Sequence, residues 1–229
     1  LGLVGDNGAG KSTLSKVLSG AIIPDSGIIE IDGEPVTFAS PADARAARVE
    51  MVYQDPSLCD TVDVAGNLFL GREPRRRVAG LSFLDKARMH AEARAMLDRL
   101  GIVIADTRLK VENLSGGQRQ SIAIGRAASF DPRVLIMDEP TAALAVAEVE
   151  AVLDLIRAVS ARGVSVILIT HRLQDLFLVC DRIQVMYEGR NVAERHVSET
   201  SIEEVVNLIV GRKFAARSAG AAASTGVPA

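Results

Sequence analysis

The stretch "GDNGAGKST", residues 5–13, constrains the fold more than any other. It follows the apolar run "LGLV" and leads into "TLSKVLSG", in which Leu14, Val17 and Leu18 have helical spacing. Strand, glycine-rich turn and helix therefore come in that order. Gly5, Gly10, Lys11 and Ser12 fit G-x-x-x-x-G-K-[ST]. Glycines let successive backbone N–H groups converge on one anion, a concavity that side chains would block. Gly5, Asp6, Asn7, Gly8, Ala9, Gly10, Lys11, Ser12 and Thr13 thus form an expected phosphate cradle at a helix N-terminus. Lys11 can reach the outer phosphates of a nucleoside triphosphate, and the Ser12 hydroxyl can ligate Mg²⁺. A plain glycine turn fits less well, because Lys-Ser and a helix follow it directly.

Strand signals recur at 1–4, 27–33, 49–53, 134–137, 164–170 and 182–187. The last three, "VLIM", "VSVILIT" and "RIQVMY", are apolar on both faces, as central parallel strands are. With helices between them they predict an α/β sheet with right-handed crossovers. "GIIEIDGEPV" instead reads as a small antiparallel sheet turning at Asp32-Gly33. Residues about 62 to 128 break the alternation and predict an inserted helical subdomain of two or three helices with no strand between them. Within it Ala93, Met96, Leu97 and Leu100 stand at i, i+3, i+4 and i+7, and Gly101 stops the helix. Residues 212–229, rich in Ala, Ser and Gly without apolar period, are expected to form a disordered tail.

The chain has 229 residues, 48% apolar and 24% charged, the balance of a globular protein with one substantial core. A net charge of −3 gives no electrostatic reason to expect nucleic acid. Cys59 and Cys180 lack metal-ligand spacing and read as buried or half-buried residues of a reducing compartment. No apolar run approaches a membrane span. The chain opens on Leu in mid-strand, so residues upstream are expected to be missing.

"VLIMDEPTAAL" ends an apolar strand in Asp138 and Glu139. A carboxylate at that edge can hold Mg²⁺ beside the phosphates. Glu139 is placed to orient or deprotonate an attacking water. "NLSGGQRQ" sets Ser115, Gly116, Gly117 and Gln118 before the amphipathic "QSIAIGRAASF". That makes a second helix N-terminus suited to phosphate, far from the first in sequence. One triphosphate needs one cradle within a chain, so two chains are expected to meet around shared nucleotides. A plain serine cap and turn is the alternative for this stretch alone.

With the phosphate loop upstream and "VLIMDEP" downstream, "LSGGQ" resembles the nucleotide-binding subunit of an ATP-binding-cassette transporter. Gln54 in "MVYQDPSL" resembles that family's Q-loop, and His171 in "ILITHRL" its switch histidine. The resemblance implies a P-loop NTPase fold: a parallel-sheet core, a small antiparallel portion and the inserted helical subdomain, in a single ATPase domain over 1–211. It implies ATP and Mg²⁺ as ligands, with Ser12, Gln54 and Asp138 at the metal. Lys11, Glu139 and His171 would be catalytic, and Ser115–Gln118 would face the nucleotide of a second subunit in a head-to-tail dimer. Two departures stand out. Ala145 occupies the place of an aspartate that usually follows "TAAL", and the family's adenine-stacking aromatic belongs upstream of residue 1. His90 and His196 match no motif and read as surface residues.

"MVYQDPSLCDTVDVAGNLFLGRE", "EPTAAL" and "ITHRLQDLFLVCDRIQVMYEGR" resemble the ribose-, xylose- and fructose-type branch of bacterial importers. The resemblance implies a peripheral subunit on the cytoplasmic face of the inner membrane. It would power import of a monosaccharide through permease subunits supplied by a sugar-binding protein. A soluble cassette ATPase acting on DNA or ribosomes is the alternative. It fits less well, because neither a long coiled-coil insertion nor a second cassette with basic linkers is present. A P-loop kinase would leave "LSGGQ" and Glu139 without a role.

Overall fold

The computed structural model describes residues 1–210, and the tail expected over 212–229 lies outside the described residues. Strands β1 (Gly2–Gly5), β4 (Val49–Val52), β7 (Val134–Asp138), β8 (Ser165–Ile169), β9 (Arg182–Tyr187) and β10 (Arg190–His196) make one sheet, ordered β10-β9-β1-β8-β7-β4. All pairings are parallel except β9 with β10. Every parallel strand therefore ends on the same edge, which is where open α/β sheets bind ligands.

Alternating side chains of these strands feed two cores, one per face. Val4, Leu135, Met137, Leu168 and Val185 pack with helices α5 (Gly116–Ala128) and α6 (Val146–Ala161). Leu3, Ile136, Ile169 and Met186 point the other way, towards Ala9, Phe38 and Ala44 of α2 (Pro41–Ala46). The double-sided burial explains why β7 and β8 read as unbroken apolar runs. α1 (Lys11–Leu18) follows β1 directly, as the sequence implies.

The antiparallel pair β2 (Ile29–Ile31) and β3 (Glu34–Val36) turns at Asp32 and Gly33, whose φ values of 55° and 82° suit a tight hairpin. Residues 62–128 hold α3 (Val64–Leu68), α4 (Lys86–Arg99) and the start and body of α5. α4 buries Met89, Ala93, Met96 and Leu97, and Gly101 at φ 69° ends it.

Three expectations need correction. The segment before α4 is a hairpin, β5 (Arg75–Val78) paired with β6 (Leu81–Leu84), turning at Ala79 and Gly80 with φ of 50° and 83°. A run of three arginines and no clean alternation hid it: all eight strand residues are exposed, so neither face carries the polar–apolar pattern of a half-buried strand. His90 is half-buried, its Nδ1 3.0 Å from the Thr107 hydroxyl, because its face of α4 covers the loop over 104–109. Cys59 is exposed, while Cys180 is half-buried as expected, and both are free thiols. Among the described residues no helix is long and apolar enough to cross a membrane.

Candidate functional site

The phosphate loop is held open by its glycines and pinned from outside. A Cβ on Gly5 would stand 2.3 Å from the Met186 carbonyl oxygen, and Gly8 and Gly10 have φ of 82° and 96°. The Ala9 carbonyl accepts from Gly189 N–H at 3.0 Å, fastening the loop to the β9–β10 turn. Asp6 accepts from the Asn7 N–H at 2.9 Å through its side chain and from the Ala9 N–H at 3.1 Å through its carbonyl. Gly10 caps α1 with no side-chain oxygen, so no side chain competes for the N–H groups that begin the helix. Lys11 Nζ donates to the Gly5 and Asp6 carbonyls at 2.8 and 3.1 Å, which folds its ammonium over the loop. Ser12 and Thr13 open α1, exposed.

Asp138, the last residue of β7, neighbours the Ser12 hydroxyl. Burial first, and the neighbouring Glu139 second, push its carboxyl above the usual range, while Lys11 and Lys16 pull the other way. Glu139 has φ 52°, the left-handed region that a side chain disfavours. Its N–H is given to the Ile169 carbonyl at 2.8 Å, which holds the strained turn against β8. Glu139 Oε2 is shielded from solvent and lies 2.8 Å from His171 Nδ1 in an ion-pair contact, with no hydrogen bond to it. His171 is 70% exposed on its side-chain surface. Asp175, buried in the first turn of α7 (Leu173–Val179), accepts from Thr141 at 2.7 Å and approaches Arg172 at 3.3 Å. It joins the loop after Glu139 to the turn that carries His171.

Parallel topology thus gathers Gly5–Thr13, Asp138, Glu139 and His171 at the ends of neighbouring strands β1, β7 and β8. Gln54 follows β4, exposed on the rim of a cleft of about 950 Å³ that Asp138, Glu139 and Gly116 also line. Ser115 caps α5, its Oγ accepting from Gln118 N–H at 3.2 Å while Gln118 Oε1 accepts from Ser115 N–H at 3.0 Å. Gly117 N–H goes to Glu148 Oε1 at 3.0 Å. The reciprocal cap shows that the plain-cap reading of this stretch is also true of it; the two readings are compatible, since Gly116 stays exposed.

Sequence reasoning missed Asp175, Asn67 and Glu148. Asn67, fully buried, accepts from Cys59 N–H at 2.7 Å and donates to the Cys59, Val62 and Asp63 carbonyls, which shapes the loop after Gln54. Nothing in a lone Asn inside "VAGNLFL" signals this. Glu148 had a signal, since it stands three residues after the helix cap, but Ala145 in the cap position weakened it.

A mononucleotide cradle, a carboxylate pair at the adjacent strand end and a second capped helix opening with Ser-Gly-Gly define an ATP-hydrolysing cassette. Residues 1–142 match the model of the ABC transporter family, and the chain belongs to that family. It is 45% identical to the fructose import ATP-binding protein FrcA of Rhizobium meliloti over 97% of this chain and 87% of that one. It is 46% identical to the ribose import ATP-binding protein RbsA 2 of Burkholderia cenocepacia (strain HI2424) over 93% of this chain, which spans only 41% of that protein. The fold is that of cbiO1 from Clostridium perfringens, part of the ABC transporter complex cbiONQ, with a TM-score of 0.73, 29% identity and coverage of 92% and 84% of the two chains. The chain is accordingly an ATP-binding and ATP-hydrolysing subunit.

Proposed function

We propose that the chain powers import of a monosaccharide, as a peripheral subunit on the cytoplasmic face of the membrane. It would be joined to permease subunits and served indirectly by a sugar-binding protein. Its similarity to fructose and ribose import proteins supports the cargo class. The cargo itself is chosen elsewhere, because nothing in the site described here recognises a sugar.

The site's own residues divide the work of hydrolysis. Backbone N–H groups of residues 5–13 hold the phosphates, and the Lys11 ammonium leaves its loop carbonyls to neutralise the outer ones. Mg²⁺ fits beside them: the Ser12 hydroxyl neighbours Asp138, and the adjacent Glu139 carboxylate raises the cost of ionising Asp138, which a cation there would relieve. Ser12, Asp138 and Gln54 would hold it, and when bound it supplies charge neutralisation at the phosphates. Glu139, whose side chain lines the cleft, takes a proton from water as that water's oxygen attacks the γ-phosphorus and the bond to the β–γ bridging oxygen breaks. His171 hydrogen-bonds the γ-phosphate. Ser115, Gly116, Gly117 and Gln118 of a second copy close the cradle opposite, in a head-to-tail dimer.

The observation that carries this reading is the unbonded Glu139 oxygen beside Asp138 and His171. Glu139→Gln is expected to keep ATP binding and to lose about a hundredfold or more of turnover. Turnover within a few-fold of the parent would place the base elsewhere.

A further inference from the structure

We infer that Glu148 is a positioning residue for the ATP site, and that residue 117 is glycine in order to seat it. Glu148 lies in the first turn of α6. Its two oxygens reach in opposite directions: Oε1 accepts from Gly117 N–H at 3.0 Å, and Oε2 accepts from Ala145 N–H at 3.2 Å. The Ser115 hydroxyl joins them, and these donors hold the carboxyl below the usual carboxylate range. One side chain therefore bridges the starts of two helices. α5 begins with Ser115–Gln118, and α6 begins where the loop from Glu139 ends.

The glycine follows from the same contact. A Cβ at Gly117 would lie 2.7, 2.8 and 3.0 Å from Cβ, Cγ and Cδ of Glu148, closer than carbons approach. Gly117 has no positive φ that would demand glycine. The space its missing side chain leaves is filled from within the chain by Glu148. Ala145, with no side-chain oxygen, makes Glu148 the cap of α6 as well. Between the two ends the loop is short and internally bonded, with Ala142 N–H on the Glu139 carbonyl at 3.2 Å and Leu144 N–H on the Thr141 carbonyl at 3.4 Å. A displacement of the α5 start is thereby passed through Glu148 and Ala145 to the loop holding Glu139. The consequence for turnover rests on the reading above, in which Ser115–Gln118 faces a second copy's nucleotide.

Two measurements on the full chain test this. The first is a melting-temperature cycle of Gly117→Ala, Glu148→Ala and the double variant. Alanine suits a helix interior better than glycine. Even so, Gly117→Ala should lower the melting temperature strongly beside Glu148 and much less once Glu148 is Ala, where only the Cβ contact at 2.7 Å remains. Equal destabilisation in both backgrounds overturns the seating of Glu148 on Gly117. The second is kinetic, run where circular dichroism shows every variant folded. Glu148→Ala should lower kcat about ten- to a hundredfold while leaving KM for ATP within about twofold, because the cradle at 5–13 is untouched. Glu148→Gln, which keeps one acceptor oxygen, should fall between. Unchanged kcat per folded molecule, or a matching rise in KM, overturns the positioning role. Ser115→Arg separates the two readings: if it leaves ATP-driven dimerisation intact in a Glu139→Gln background, the shared site fails while the melting cycle still decides the Glu148–Gly117 contact.

Discussion

Replacing Glu139 by glycine should leave the protein more stable than replacing it by alanine, although either change inactivates it. Glu139 sits at φ 52°. A left-handed conformation costs a residue with a Cβ about 1–2 kcal/mol. Alanine keeps that cost and glycine removes it. Glycine gains freedom in the unfolded chain, which offsets about 0.5–1 kcal/mol of the relief. Loss of the buried, unbonded carboxylate oxygen is common to both variants and cancels in the comparison. Glu139→Gly should therefore be more stable than Glu139→Ala by roughly 0.5–1 kcal/mol, or about 1–4 °C in melting temperature at this chain length. This is opposite to the order at ordinary helix and strand positions. Differential scanning calorimetry without nucleotide or divalent cation reads the difference, and ATPase assays on the same samples should show both variants reduced about a hundredfold or more. An alanine variant melting at or above the glycine variant would refute the strain argument.

Asp138→Asn should raise the metal-free melting temperature near neutral pH and leave it unchanged near pH 4. Asp138's folded-state pKa is raised, so its favourable contribution is present below the unfolded value and lost as pH rises through the folded one; thermal melts across that window check the sign. Asn67→Ala should cost about 2–4 kcal/mol, because it leaves buried loop groups without partners, and should lower the melting temperature by roughly 5–15 °C. Gly5→Ala should lose about 2 kcal/mol or more by driving a Cβ into the Met186 carbonyl, and nucleotide binding by fluorescence titration should weaken with it.

Strands with double-sided burial and helices with clean apolar stripes were legible because burial writes an unbroken apolar run or a helical period into sequence. β7, β8 and α4 carry such marks. The exposed β5–β6 hairpin buries nothing and so writes none. The same divide runs through the site. Backbone-built features such as the cradle at 5–13 need glycines at fixed offsets, and these show in the sequence. Glu148, Asp175 and Asn67 act through side-chain contacts across 31, 34 and up to 8 positions, respectively, which no local spacing records. Gly117 carries a second requirement that its motif does not record, since its missing Cβ accommodates Glu148.

Subunit mixing tests the shared ATP site most directly. One chain carries Lys11→Ala and the other Ser115→Arg, both in a Glu139→Gln background so that hydrolysis cannot reset the complex. Each homodimer then has a defective wall in both sites, whereas a mixed dimer gathers both defects in one site and leaves the other whole. ATP-dependent dimerisation, followed by analytical ultracentrifugation, should be weak for either chain alone and return on mixing. A Ser115→Arg chain that dimerises on ATP as well as its parent would contradict the account.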